Sequence, residues 1–475
     1  MSSPPAQQPA TSHTYAVLAA VGVGTFMSAL DASIVNVTLP VVARSLHAGV
    51  DAVEWVVTVY LLVVSGLLLS VGRLGDLRGH KDVYVLGFGG FVVSSALCGF
   101  SPTVHALVGF RAIQAVSAAM LYANAPAILT QSFPPAERGK ALGMQATMTY
   151  LGLSVGPALG GWLADALSWR WIFFVNVPVG AIGVWLSLRN IARDRPTGAQ
   201  ARFDVAGAVL FFAGLFSLLL ALNQGHAWGW SSPATGGLLA AAAIGLALFV
   251  TVERRRPEPM LDLSLFRSPV FSGAVFSATL TYVAQFALIF LLPFYLIQSR
   301  GLAARHAGAL LVSQPAVMAV TAPLSGMLSD RLGSRGPIVL GLVTLAAGLG
   351  LLALIGPATP LWFIALALAV CGLGFGAFVA PNNSRLLGAA PPHRRGIASG
   401  VLAAARNVGM VLGVGLAGAV YTTVVERGGG DAAIPRAVSV ATVLLAGITL
   451  LATATSWLEG EPVEAGPARG ANGGS

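Results

Sequence analysis

From Tyr15 to Leu39 the chain is apolar except for small polar residues and one carboxylate, Asp31. The hydrocarbon core of a bilayer is about 30 Å thick and takes about 20 helical residues to cross. Segments of matching length recur at 54–72, 83–101, 104–128, 141–164, 171–189, 204–223, 234–252, 270–297, 306–328, 337–356, 360–382, 398–423 and 437–457. In lipid every backbone N–H and C=O must be satisfied inside the protein, so segments of this length become helices. An all-α integral membrane protein with fourteen transmembrane helices is therefore expected.

Charge is scarce, 9% of residues against about 25% in a soluble domain. The net charge of +9 does not point to nucleic acid. Most of the basic residues, including Arg254-Arg255-Arg256 and Arg394-Arg395, fall on the side of the membrane that also holds both termini. That bias places the termini in the cytoplasm. Residues 1–14 lack Lys and Arg and the first span is too long for a signal-peptide core, so no cleavage is expected. Cys98 and Cys371 lie in apolar spans, where Cys acts as a small hydrophobe. Neither metal-ligand spacing nor a phosphate-binding glycine loop is visible, so no metal, cofactor, ATP coupling or enzymatic activity is expected.

Two segments repeat. Gly72-Arg73-Leu74-Gly75-Asp76-Leu77-Arg78-Gly79-His80-Lys81 follows the second span, and Gly326-Met327-Leu328-Ser329-Asp330-Arg331-Leu332-Gly333 follows the tenth. In each, Asp comes four residues after Gly and a second Gly three residues later. Parallel repeats mark transporters whose halves rock about a midplane site. The expected domains are a six-helix bundle at 15–190, a linker at 191–268 carrying two inserted spans, and a second six-helix bundle at 269–457, related to the first by a pseudo-two-fold axis. Disordered cytoplasmic tails at 1–14 and 458–475 complete the division.

With these motifs the chain resembles the major facilitator superfamily, and within it the fourteen-span drug/proton antiporters. The resemblance rests on the paired segments, on Leu30-Asp31 through Pro40, and on Arg111-Ala112-Ile113-Gln114. It also rests on Gly152, Gly156-Pro157 and Gly160-Gly161 (the antiporter motif) and on Trp169-Arg170-Trp171 followed by Asn176-Val177-Pro178. It implies proton-coupled efflux of amphipathic drugs or antibiotics across the cytoplasmic membrane. The alternative is a transporter of the same fold moving a lipid-like molecule or metabolite.

The residues support specific roles. A carboxylate at mid-bilayer costs about 2.5–3.5 kcal/mol on insertion scales, so Asp31 is read as a proton carrier. Arg111 falls at similar depth and would shift the proton affinity of Asp31 when the two part. A static ion pair joining the first and fourth spans is the structural rival. Glu54, at an external span end, is the third proton-coupling candidate, whereas Asp165 is read as an interface marker. Asn36, Gln114, Asn124, Gln145, Tyr282, Gln285, Gln314, Asn382 and Asn407 are candidate substrate contacts among apolar walls, too sparse for a sugar. Gly72, Asp76, Gly79, Lys81, Asp330 and Arg331 are candidate conformational latches. The antiporter glycines permit close helix approach and kinking. Expected partners are a small amphipathic molecule, protons and lipid, with the chain acting as a monomer.

Overall fold

The computed structural model describes residues 12–134, 137–193, 205–229, 231–254, 263–391, 395–426 and 430–458. Of the expected tails 1–14 and 458–475, residues 1–11 and 459–475 lie outside them, as do Arg255, Arg256 and Arg394, whereas 12–14 and Leu458 belong to the first and last helices. Among the described residues there are helices and no strands. They are α1 (Ser12–Ser45), α2 (Val50–Arg78), α3 (His80–Gly99), α4 (Val104–Ser132), α5 (Arg138–Ala166), α6 (Trp171–Phe174) and α7 (Asn176–Asn190). Then come α8 (Val205–Trp228), α9 (Pro233–Glu253), α10 (Pro269–Phe294), α11 (Ala304–Leu311) and α12 (Ser313–Leu332). The last four are α13 (Arg335–Leu352), α14 (Leu361–Gly388), α15 (Arg395–Tyr421) and α16 (Ile434–Leu458).

Among the described residues 13 spans are long and apolar enough to cross a membrane, with α6–α7 and α11–α12 each forming one. Helix α5, 29 residues long, runs beside α1 and is the fourteenth. An even number of crossings returns the chain to the face it started from, here termed the terminal face; the other is the distal face. Helices α1–α7 pack among themselves, as do α10–α16, and α8 and α9 pair with each other. Helix α8 also rests on both α2 and α15, so the inserted pair lies along the seam between the bundles.

Proline explains two broken spans. Pro178 has no N–H to give the Phe174 carbonyl and Pro315 none for the Leu311 carbonyl; the helices break at Val175 and Val312 respectively. The repeated segments are largely helical rather than loops. Helix α2 continues to Arg78 and α12 to Leu332, ending at Gly79 (φ 99°) and Gly333 (φ 83°). Only glycine adopts such φ without strain, which accounts for the second glycine of each repeat.

Candidate functional site

Asp31 and Arg111 are buried inside the first bundle. Arg111 Nη1 donates to Asp31 Oδ2 at 2.6 Å and to Gln114 Oε1 at 2.5 Å, and its Nε donates to the Val56 carbonyl at 3.1 Å. The other carboxylate oxygen, Oδ1, accepts from Gln114 Nε2 at 3.1 Å and from Asn176 Nδ2 at 2.9 Å. Gln114 Nε2 also reaches Ser95 Oγ at 2.7 Å. The Tyr60 ring lies against the guanidinium, 4.2 Å from Cζ to its centroid. A charge removed from water must be paired and fully hydrogen-bonded. Five helices, α1, α2, α3, α4 and α7, provide that environment. Protonating Asp31 would cancel its charge and leave Arg111 without a counter-ion.

Asn176 and Ser95 were not among the sequence candidates. The signal for Asn176 was present in Asn176-Val177-Pro178, since the break before α7 sets it where its amide meets Asp31. Gln114, expected to touch substrate, has both ends of its amide engaged in this network.

The remaining polar candidates divide into groups. In the second bundle Gln314 Nε2 donates to Gln285 Oε1 at 2.8 Å. One turn from Gln285 on α10, the Tyr282 ring packs edge-on against Phe375 at 5.3 Å and under Arg406, whose Cζ is 5.1 Å from its centroid. Asn407 binds the Ala403 carbonyl one turn back at 3.0 Å. Asn36 does the same with Ala32 at 2.6 Å, leaving its buried Oδ1 without a hydrogen bond. Gln145 Nε2 donates to Thr25 Oγ1 at 3.3 Å. Asn124 and Asn382 are not brought to this group. Asn124 Oδ1 meets His80 Nδ1 at 2.8 Å, and Asn382 Nδ2 donates to the Ala274 carbonyl at 3.1 Å.

Toward the distal face the bundles are pressed together. Asp165, at the end of α5, accepts from the backbone N–H groups of Ala304 at 3.2 Å and Arg305 at 2.8 Å, capping α11. It is therefore an interbundle contact rather than a marker of the interface, because the free N–H groups that open a helix attract a carboxylate. The antiporter motif has two faces. A Cβ at Gly152 would lie 2.6 Å from the Phe26 carbonyl oxygen, and one at Gly156 or Gly160 would overlap Ser33 or Ile34, all on α1. Gly161 packs on the Ala304 backbone and the Pro157 carbonyl on Gly308, which closes α5 against α11.

Glu54, 2% exposed, accepts from Asn223 Nδ2 of α8 at 3.0 Å and abuts Gly418 of α15. Gln224 Nε2 in turn donates to Asn223 Oδ1 at 2.8 Å. Asn223 and Gln224 were absent from the sequence candidates because nothing in an apolar span indicates which helix it will face.

Among the latch candidates, Asp76 lies 3.8 Å from Arg73 and 3.4 Å from His80, within its own repeat. Lys81 Nζ donates to the Leu188 carbonyl at 3.1 Å. A Cβ at Gly72 would sit 3.8 Å from Ala123. Arg331 is exposed, and the Asp330 side chain lies outside the described residues.

The comparisons agree with this architecture. The family model described as Major Facilitator Superfamily matches residues 21–414 and 274–473. The multidrug resistance protein Stp of Mycobacterium tuberculosis is 35% identical over 404 residues, covering 85% of this chain and 75% of Stp. The riboflavin transporter RibZ of Clostridioides difficile is 34% identical over 398 residues, covering 84% and 86%. A solved bacterial homologue of the human lysosomal transporter Spinster superposes with a TM-score of 0.66 at 17% identity, covering 95% of this chain and 97% of that one. The chain is a multi-pass membrane transporter and belongs to the Major Facilitator Superfamily.

Proposed function

We propose that this protein exports amphipathic drugs or antibiotics across the cytoplasmic membrane in exchange for protons, by alternating access. The observation that carries the reading is the Asp31 centre. A carboxylate that can hold a proton is buried in a spanning bundle, against a guanidinium 2.6 Å away. The ligands of this centre come from five helices of the first bundle, α1, α2, α3, α4 and α7. Protonation weakens the Asp31–Arg111 contact, and deprotonation restores it.

Residues 15–190 and 269–457 act as the two rocking bodies, with both termini in the cytoplasm and the chain working as a monomer. The distal seal of Asp165, Gly161 and Pro157 on α11 has to open for release outside. Glu54 stands at the same distal seam and serves proton entry. Asp76, Gly79 and Lys81, with Gly72, Asp330 and Arg331, form latches on the terminal face that engage when the distal side opens. Tyr282, Gln285 and Gln314 face substrate, and Asn36, Gln145 and Asn407 contribute there. The name of Stp favours drug efflux, and that of RibZ favours the second reading, movement of a metabolite on the same scaffold.

The test is substrate-triggered proton flux in liposomes holding wild type or Asp31→Asn. At about 150 mV and half a pH unit one proton supports about 4 kcal/mol, close to a thousand-fold gradient. Coupled flux is expected in wild type and absent in Asp31→Asn, while ligand binding persists. Undiminished exchange in Asp31→Asn would refute Asp31 as the proton carrier.

A further inference from the structure

Between Pro269 and Leu458 the acidic residues are Asp330, Glu426 and Asp431, all toward the ends of helical segments. Arg406 is well inside, about 16 Å along α15 from Arg395 at 1.5 Å per residue. Among the described residues no carboxylate pairs with it. The two buried carboxylates of the first bundle are committed elsewhere. Asp31 is bound by Arg111 at 2.6 Å, and Glu54 is held by Asn223 at 3.0 Å toward the distal face. What surrounds Arg406 is aromatic and neutral. Tyr282 lies under the guanidinium with Phe375 edge-on to it, and the Gln285–Gln314 amide pair sits one turn from Tyr282 on α10.

We propose that Arg406 makes this part of the seam a binding site for planar aromatic molecules bearing a carboxylate or phenolate, and not for organic cations. The inference rests on the transporter reading and names its substrate class. A partly buried guanidinium without a carboxylate is a charge awaiting a counter-ion, and Arg is well suited to carboxylate and phenolate oxygens through parallel N–H donors. The aromatic rings supply flat apolar walls for the rest of such a molecule. An organic cation would meet the same rings but also the guanidinium, with no carboxylate left to neutralise it, and like charges brought together without water select against it.

The test uses two dyes that share a xanthene skeleton and differ in charge, fluorescein as the anion and rhodamine 123 as the cation. Binding to the purified full-length protein in lipid nanodiscs is read by fluorescence polarisation. Wild type is expected to bind fluorescein about tenfold more tightly than rhodamine 123. Arg406→Gln removes that preference and Arg406→Lys keeps most of it. Asp31→Asn keeps the preference whatever happens to proton flux, so failure of proton coupling and failure of the anion site are read separately. Equal or tighter binding of rhodamine 123 by wild type overturns the proposal, as does the absence of fluorescein binding. So does a preference unchanged in Arg406→Gln. The wild-type comparison decides even if the Gln variant fails to fold.

Discussion

At the scale of single residues the central object is an ion pair with no solvent to relieve either partner. Removing one member of a buried pair strands the other, at about 3–5 kcal/mol, whereas removing both together costs far less. Arg111→Ala is therefore expected to lower the unfolding midpoint in detergent markedly, and the double variant Asp31→Asn with Arg111→Gln to recover much of the loss. Equal destabilisation in the two proteins would show that the pair is not energetically coupled. Asp31 and Arg111 were legible as partners because helix rise converts sequence position into depth, and both came out in the same half of the bilayer. The role of Gln114 was not legible, and for Asn176 the sequence showed the helix break but not the partner. An amide in a helix can turn to substrate, backbone or carboxylate, and only packing decides which.

At the scale of elements, α5 joins the Asp31 centre to the distal contact with α11. One row of glycines takes in α1 around Asp31, and Gly161 with the Pro157 carbonyl meets α11. A shift of α5 therefore moves both places together. A methyl at Gly156 would overlap Ser33, and overpacking of this kind costs about 1–3 kcal/mol. Gly156→Ala is expected to lower stability and slow transport. Gly89→Ala on α3, where nothing lies within 4 Å of the added methyl, is expected to be neutral or stabilising by up to about 1 kcal/mol. Thermal unfolding of the two proteins side by side checks this, and equal effects would remove close packing as the purpose of the motif.

At the scale of the molecule, the inserted pair is more than an appendage. Helix α9 is largely exposed toward lipid, but α8 sits on the seam and places Asn223 on Glu54. A buried acceptor deprived of its donor costs about 1–3 kcal/mol. Asn223→Ala is expected to destabilise the closed distal seam by that order. The readout is increased labelling, from the distal side, of a cysteine introduced at Leu302. Labelling at the wild-type rate would mean that Glu54 does not hold the seam.

The amino-acid sequence by itself determined the number of crossings, the duplicated plan and the presence of a carboxylate at mid-bilayer. Apolar length, proline, glycine and charge act locally or through the bilayer, and each leaves its mark on the linear chain. Beyond the Asp31–Arg111 pair, only the tertiary structure decided which side chains meet. Asn176 on Asp31, Asp165 on α11, Asn223 on Glu54 and Tyr282 under Arg406 join residues far apart in sequence. The physical reason lies in the apolar helix surface, which carries no periodic signal of its neighbours. In lipid both faces of a span are apolar, so partners are chosen by close packing and by the few polar groups that must find one another.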